Sequence, residues 1–320
     1  MIKVILVGSG GMGNVHYDNY QLIDGVKVVG LVGTSQDSLK AQHWNVPFYT
    51  SITEAIKETQ ADVVDVCTPT FLHFAHVMEA LHNEVHVICE KPLALSVKEA
   101  TEMFEMASKV NKHLYVGQVV QFMKESEYIH ELIENGSLGK PLDGYFERLS
   151  SIPNWVSGSW MFDKDKAGLI PFDLHIHDLD LIISLFGKPQ KVNYTPTYGT
   201  HSFPEHFRFM YDIDGINVVA EAAWFNAQIP FTVRWRVYFE YGYVVYDGEV
   251  ITIYHSEKKT EVIDLRPEVT IETGINVGAT SMYLDELEHF VRCIEKDIPT
   301  DKVPKEQVLS VLEVLESIQF

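Results

Sequence analysis

Short apolar runs alternate with helix-forming segments along the first third of the chain. The apolar runs predict buried parallel strands at residues 2–7, 26–32, 48–49, 62–66, 85–89 and 114–117. Helical patterns lie between them at residues 12–22, 35–43, 53–58, 72–82 and 96–109. Thr53 is expected to cap the third helix, and Ser96 forms a capping box with Glu99 on the fifth. Repeated strand–helix units of this kind predict an α/β fold with a doubly wound parallel sheet.

A different pattern begins after about residue 120. Strand follows strand from residue 190 to about residue 265, and several alternate apolar and polar positions with period two, as in residues 232–239. Helices are predicted at residues 124–135, 173–186, 281–295 and 304–317. We therefore predict two domains, residues 1–120 with the parallel sheet and residues 121–320 with a large, mostly antiparallel open sheet.

Composition narrows the range of partners. The 320 residues carry a formal net charge of −20, which argues against nucleic acid and anionic membrane surfaces. No apolar run reaches the ~18 residues of a spanning helix, and the first run lacks a signal-peptide cleavage site. Cys67, Cys89 and Cys293 form no CxxC motif. We therefore expect free thiols in a reducing cytoplasm, and neither a disulfide framework nor a zinc knuckle.

A glycine-rich turn follows the first predicted strand and opens the first helix. Its sequence, Gly8-Ser9-Gly10-Gly11-Met12-Gly13, fits the GxGxxG pattern in the context that gives the pattern meaning. Gly8 permits a tight turn, Gly10 lets the backbone approach a pyrophosphate, and Gly13 lets the helix pack close to the strand. The free N–H groups and positive dipole end of the helix suit phosphate. The turn predicts a dinucleotide cofactor, NAD or NADP.

The residues after the second strand leave the choice of cofactor open. An acid is expected there to hold the ribose 2′-OH, or an arginine to hold a 2′-phosphate. Thr34 and Ser35 occupy the position instead, and neither an acid nor a cation follows at once. Both hydroxyls can bond either group, and NAD is slightly favoured because no cation lies nearer than Lys40.

Two further strand ends contribute candidate residues. Thr68, Pro69 and Thr70 follow the strand at residues 62–66, with His73 one turn into the next helix. Glu90-Lys91-Pro92 follows the apolar run at residues 85–89. Proline keeps the residue before it out of the helical region, and the carboxyl edge of such a sheet binds ligands. A lysine at that edge indicates a functional ammonium group.

Residues 168–180 hold the densest cluster of titratable groups, and two interpretations compete. A strand would put His175 and His177 on one face, the pattern of a metal-dependent hydrolase. A helix would put Asp173, His177 and Asp180 on one face. The apolar residues that follow do not alternate with polar ones, which favours the helix. A carboxylate one turn from a histidine fixes its tautomer and raises its basicity.

Taken together, these motifs resemble the Gfo/Idh/MocA family, the glucose–fructose oxidoreductase and inositol dehydrogenase group. The resemblance spans almost the whole chain. It covers the glycine turn, Thr68-Pro69-Thr70 with His73, Glu90-Lys91-Pro92, residues 136–141, Asp173 with His177 and Asp180, and residues 283–287. It implies a Rossmann domain that binds NAD(P), and an α/β domain that binds substrate and builds a dimer or tetramer through its sheet.

The resemblance also implies roles for single residues. Lys91 hydrogen-bonds the reacting oxygen, His177 is the acid/base, and Asp173 orients the substrate and the base. Further candidates are Gln118 and Glu90 for the cofactor, and Trp155, Trp160 and Tyr283 for the substrate. The chain departs from the family at Gln121, where an arginine is common, and at His175, where a glycine is usual.

The most direct functional hypothesis is an NAD(P)-dependent dehydrogenase acting on CH–OH groups of a sugar, cyclitol or related polyol. One alternative is a non-catalytic regulator that senses a sugar or dinucleotide on the same fold, because fold does not fix function. The other is the metal-dependent hydrolase built on His175 and His177. The exposed face of the antiparallel sheet, with residues such as Trp235 and Tyr238, is expected to be buried in a homo-oligomer.

Overall fold

The N-terminal sheet has six parallel strands in the computed structural model, which describes residues 1–154, 159–267 and 269–320. The strands are β1 (Ile2–Val7), β2 (Val26–Val32), β3 (Phe48–Tyr49), β4 (Val63–Val66), β5 (His86–Glu90) and β6 (Leu114–Gly117). Their order is β3-β2-β1-β4-β5-β6, which reverses between β1 and β4, where sheets of this kind bind ligands. The predicted doubly wound parallel sheet is confirmed.

Five helices connect these strands: α1 (Gly11–Tyr20), α2 (Ser38–Trp44), α3 (Ile52–Thr59), α4 (His73–His82) and α5 (Val97–Lys109). The predicted cap of α5 is confirmed, since the Ser96 hydroxyl accepts a hydrogen bond from the Glu99 amide at 3.2 Å. The predicted cap of α3 is wrong. Ser51 caps this helix, while the Thr53 amide and hydroxyl both bond the Glu79 carboxylate at 3.0 Å.

The chain forms two compact units, and the first is discontinuous in sequence. It joins Met1–Val119 with Ile271–Leu309, whereas the second joins Val120–Thr270 with Ser310–Phe320. The first unit thus takes in a segment well beyond residue 120. The physical reason is helix α9 (Met282–Lys296), which packs against α1 and whose apolar face is buried.

The sheet of the second unit has eight strands in the order β14-β13-β12-β11-β7-β10-β9-β8. They are β7 (Pro141–Ser151), β8 (Lys191–Tyr198), β9 (Pro204–Ile213), β10 (Ile216–Phe225), β11 (Thr232–Phe239), β12 (Gly242–Tyr246), β13 (Ile251–His255) and β14 (Glu261–Ile263). Only the β7–β10 pair among them is parallel, so the predicted mostly antiparallel sheet is confirmed.

The remaining helices are α6 (Lys124–Asn135), α7 (Lys164–Ala167), α8 (Ile176–Phe186) and α10 (Lys305–Glu316). Helix α8 packs on β7, where Phe146 and Phe186 meet edge to face at 6.4 Å. Among the described residues, no helix is both long and apolar enough to cross a bilayer.

The two aromatic residues expected on the exposed sheet face lie on opposite faces. Trp235 is only 3% exposed and pairs with Phe146 on the covered face, whereas Tyr238 is 48% exposed. The expectation for Trp235 is therefore wrong. The two positions are three apart, an odd number, and side chains alternate along a strand, so they cannot share a face.

Candidate active site

The glycine turn lies at the carboxyl end of β1, where the strand order reverses. Gly8 has a φ of +94°, and a Cβ there would stand 2.9 Å from the Cys67 carbonyl oxygen. A Cβ on Gly13 would stand 2.1 Å from the Gly8 carbonyl oxygen. Gly10 is the N-cap of α1 and has open space where a Cβ would be. The turn therefore requires glycine at Gly8 and Gly13, and it leaves the helix N-terminus at Gly10 open to an anion.

An acid does approach this turn, contrary to expectation. Thr34 follows β2 and caps a short 3₁₀ turn, Ser35–Asp37, which brings the Asp37 carboxylate back toward the glycine turn. The carboxylate accepts hydrogen bonds from the Ser9 hydroxyl and from the Thr34 amide, the latter at 2.6 Å. Counting along the strand missed Asp37. The capping-box spacing between Thr34 and Asp37 is the signal that could have found it.

The turn after β4 is tied to the turn after β5 by His73. This side chain is 1% exposed, and its ring nitrogens lie 2.8 Å from the carbonyl oxygens of Pro92 and Thr68. Burial lowers the pKa of His73, which favours the neutral ring, and a neutral ring donates through only one of its two nitrogens. His73 thus has an interior position that holds the two turns together.

Lys91 stands directly after β5 and is partly exposed, next to a cis Lys91–Pro92 peptide bond. The preceding residue, Glu90, is buried, and its carboxylate accepts a hydrogen bond from the Lys91 amide at 3.1 Å. Gln118 follows β6 and is 1% exposed, and its Oε1 has no hydrogen-bond partner among the described residues. Buried acceptors in folded proteins normally receive a hydrogen bond, so Oε1 is available to a donor of a bound group.

The Asp/His segment of the second unit is helical, which confirms the favoured interpretation. It begins as a π-helix, Pro171–His175, and continues as α8. Asp173 and His177 are partly exposed, whereas the other residues between 171 and 180 are buried. The π turn is a form often found at functional sites, and here it presents a carboxylate and an imidazole one turn apart.

His175 does not form a pair with His177. It is fully buried, stacks on Phe209 with ring centres 3.9 Å apart, and lies 2.6 Å from the Tyr211 hydroxyl through Nε2. Burial and the nearby Arg148 charge lower the pKa of His175 to about 3. Residues two positions apart on a helix, such as His175 and His177, point to opposite sides. The shared face that the hydrolase alternative requires is therefore absent.

Polar contacts hold α8 in place, and the sequence indicated neither of the two that involve its aspartates. The Arg148 guanidinium of β7 forms a buried ion pair with Asp178 at 2.9 Å. Gln121, which stands where an arginine is common, donates to Asp180 at 2.6 Å. Asp180 is fully buried, so it supports the helix instead of joining the partly exposed Asp173 and His177.

The aromatic candidates lie in different environments. Trp155 lies outside the described residues. Trp160 is partly exposed in a 3₁₀ turn, Trp160–Phe162, and stays a prediction. Tyr283 is 6% exposed in the first unit, with its ring centre 6.5 Å from that of His16. Its role as a substrate contact stays a prediction.

A parallel sheet in this strand order, with a glycine turn where the order reverses, defines a dinucleotide-binding α/β protein. The sequence comparison gives the family. The chain matches the "oxidoreductase family, NAD-binding Rossmann fold" model over residues 2–118 and the "GFO/IDH/MocA C-terminal domain" model over residues 126–245. The chain therefore belongs to the Gfo/Idh/MocA family, as the motifs predicted.

Several known proteins are similar. The myo-inositol 2-dehydrogenase of Thermotoga maritima is 28% identical over 190 residues, 58% of this chain and 55% of that protein. The 2,7-anhydro-N-acetylneuraminate hydratase of Escherichia coli is 27% identical over 205 residues, 64% of this chain and 55% of that protein. The chain thus spans about half the length of these curated relatives.

A solved structure shows the same fold over nearly the whole chain. Levoglucosan dehydrogenase, in complex with NADH and levoglucosan, superposes with a TM-score of 0.85 at 18% identity, covering 98% of this chain and 95% of that one. At this identity the likeness establishes the fold, and the chemistry has to be inferred from the site residues.

Proposed function

We propose that the protein is an NAD(P)-dependent dehydrogenase that acts on a hydroxyl group of a sugar, cyclitol or related polyol. One observation carries this proposal. Lys91 lies at the carboxyl edge of the sheet that carries the glycine turn, and Asp173 and His177 are the partly exposed polar groups of an otherwise buried helical segment. An ammonium, an imidazole and a carboxylate are the groups that proton removal from an alcohol requires.

The first unit fits a dinucleotide. The open N-terminus of α1 suits the pyrophosphate, and Gln118 Oε1 is a buried acceptor that an amide or hydroxyl donor of the cofactor can satisfy. When bound, the nicotinamide supplies the two-electron acceptor for hydride. Thr68, Pro69 and Thr70 lie at the same edge of the sheet and are further cofactor contacts in this proposal.

The protein side chains transfer the hydroxyl proton and stabilise the negative charge on the reacting oxygen. His177 accepts the hydroxyl proton in oxidation and returns it in reduction, because an imidazole titrates near neutral pH. The Lys91 ammonium hydrogen-bonds the same oxygen and stabilises the negative charge that develops on it. Asp173, one turn from His177, orients the imidazole and the substrate.

Substitution of the two groups tests this assignment. Lys91→Ala and His177→Ala should each lower turnover of a responsive polyol by roughly 10²–10⁴, with dinucleotide affinity nearly unchanged. Turnover is followed as absorbance of the reduced nicotinamide across a panel of sugars and cyclitols. Lys98→Ala, at an exposed position of α5, is the matched control and should keep full activity.

The same assays separate the alternatives. Tight dinucleotide binding without turnover of any polyol would favour the sensing regulator. Activity that needs a divalent metal and disappears with a chelator would contradict the proposed dehydrogenase. Loss of dinucleotide binding in Lys91→Ala, with catalysis retained, would contradict the role proposed for the Lys91 ammonium.

NAD is the favoured cofactor in this proposal. The Asp37 carboxylate lies beside Ser9 of the glycine turn. A carboxylate at this position accepts a hydrogen bond from a ribose hydroxyl and repels a 2′-phosphate. The sequence favoured NAD only because no cation lies nearer to the second strand than Lys40. The Asp37 carboxylate is stronger support for NAD.

The second unit supports a homo-oligomer. Tyr238, Tyr243 and Tyr254 are direct neighbours across β11, β12 and β13, so they form one row on the face opposite Trp235. Tyr238 and Tyr254 are each 48% exposed. We propose that a second copy of this chain packs on this face.

The cytoplasm is the proposed compartment, because Cys67, Cys89 and Cys293 are buried free thiols.

A further inference from the structure

A group of polar side chains is buried beneath the glycine turn of the first unit. We call it the buried polar cluster, and its members come from α1, β4, β5, α9 and the turn after β4. All are less than a tenth exposed: His16, Tyr20, Asp65, Cys67, Glu90 and Glu286. None of them belongs to the proposed acid/base machinery, so their burial needs another reason.

His16 bridges two carboxylates on neighbouring strands. Its Nδ1 lies 2.8 Å from Asp65 Oδ2, and its Nε2 lies 3.0 Å from Glu90 Oε1. When both carboxyl groups are ionised they only accept hydrogen bonds, so both ring nitrogens donate and the ring is an imidazolium. Burial alone would lower the pKa of His16, but the Asp65 carboxylate raises it well above the usual value.

The other groups that face His16 are uncharged or carboxylates, so His16 is the cation of the cluster. The Tyr20 hydroxyl donates to Asp65 at 2.9 Å, and Cys67 Sγ lies 3.4 Å from the ring. Burial raises the pKa of the Cys67 thiol, which stays uncharged. Helix α9 adds the Tyr283 ring and the Glu286 carboxylate, which lies within 4.8 Å of the nearest polar atoms of His16 and Glu90. Without the imidazolium, carboxylates of like charge would face one another in the interior.

The cluster connects two parts of the proposed active site. His16 belongs to α1, the helix that starts at the glycine turn. Glu90 bonds His16 through Oε1 and the Lys91 amide through Oε2. On the other side of Lys91, the Pro92 carbonyl contacts His73. The backbone that carries the Lys91 ammonium is therefore held from both sides by buried imidazoles.

We propose that His16 is a positioning residue, which through Glu90 fixes the Lys91 backbone relative to the helix that opens at the glycine turn. The role of Lys91 in this inference rests on the proposed function. The same His16 also lies within a set of groups that could hold a metal ion with Glu90 and Glu286. An imidazolium has no lone pair for a metal. Protonation of both ring nitrogens therefore distinguishes the positioning role of His16 from a role as a metal ligand.

The test is a double-mutant cycle with His16→Gln, Glu90→Gln and the double variant. Each single variant should lower kcat by roughly 10- to 100-fold, because a shift of about 1 Å in a reacting group costs that much. The KM for the polyol should change far less. The double variant should be no slower than the slower single variant, since both changes break one connection. Val15→Ala, a buried apolar change on α1, is the control for stability loss and should keep the wild-type kcat.

Two measurements do not depend on turnover. Nitrogen NMR of the wild-type protein should show both His16 ring nitrogens protonated at about pH 8, above the usual range of a histidine. The rate at which an acylating reagent labels Lys91 should change several-fold in His16→Gln, while labelling of the exposed Lys98 on α5 stays constant.

The outcomes separate this inference from the proposed function. If no polyol reacts but the NMR and labelling results hold, the proposed dehydrogenase activity fails and the positioning role stands. A neutral or metal-bound His16 ring overturns the inference. So does a His16→Gln variant with wild-type kcat and wild-type Lys91 labelling.

Discussion

At the scale of single residues, local sequence patterns identify some of the candidate site residues and miss others. The glycine turn, Lys91 and His177 could be selected because each stands at a recognisable point of a strand or helix. Asp37 could not be selected by counting, since a 3₁₀ turn folds it back toward the glycine turn. The partners of His16 and His73 depend on residues far along the chain, which periodicity does not reveal.

Asp37 gives a prediction at this scale. Asp37→Asn keeps the shape of the side chain and removes its charge, so repulsion of a 2′-phosphate should disappear. Affinity for NADPH should rise roughly tenfold or more, while affinity for NADH changes little. Fluorescence titration with both cofactors measures this. Asp24→Asn, an exposed position before β2 at the opposite edge of the sheet, should leave both affinities unchanged. Equal gains for both cofactors would argue against charge selection.

At the scale of elements, the strands and helices were largely predictable, because apolar runs and capping residues are local signals. The π-helix at Pro171–His175 was not, since the sequence predicts only a helix there. His175, the last residue of this turn, packs against Phe209 and Tyr211 of β9. Those two residues lie more than thirty positions away, and no local pattern indicates them.

The burial of His175 predicts a pH dependence of stability. Its pKa is about 3 in the folded chain and about 6.5 when unfolded, so the unfolded chain binds the extra proton between these values. Stability therefore falls as the pH drops through this window. Between about pH 7 and about pH 5, wild type should lose about 2 kcal/mol more unfolding free energy than His175→Phe.

Urea unfolding at the two pH values measures this difference. Tyr211→Phe is the matched control, because it removes the hydroxyl partner of Nε2 and keeps the titrating ring. This variant should be less stable at both pH values and should keep the wild-type pH dependence. An unchanged pH dependence in His175→Phe would show that His175 does not govern it.

At the scale of the whole molecule, the period-two pattern predicted an open sheet correctly and placed Trp235 on the wrong face. Both faces of β11 carry aromatic side chains, so composition alone could not tell the covered face from the uncovered one. The register resolves this, because Tyr238, Tyr243 and Tyr254 align across three strands.

The tyrosine row predicts the effect of charge on assembly. Tyr238→Glu with Tyr254→Glu should place like charges on a face that a second copy covers, and should yield monomers at micromolar concentration. Light scattering measures the mass. Tyr241→Glu, at the turn between β11 and β12 and 59% exposed, is the control and should leave the mass as in wild type. A wild-type protein that is already monomeric would refute the proposed cover.

The discontinuity of the first unit has a consequence for biosynthesis. Residues 120–270 emerge from the ribosome between its two stretches, Met1–Val119 and Ile271–Leu309. The interior around His16 is therefore completed only after α9, which carries Glu286, has been synthesised. During that interval the surface of α1 against which the apolar face of α9 packs is exposed, and exposed apolar surface is what chaperones recognise.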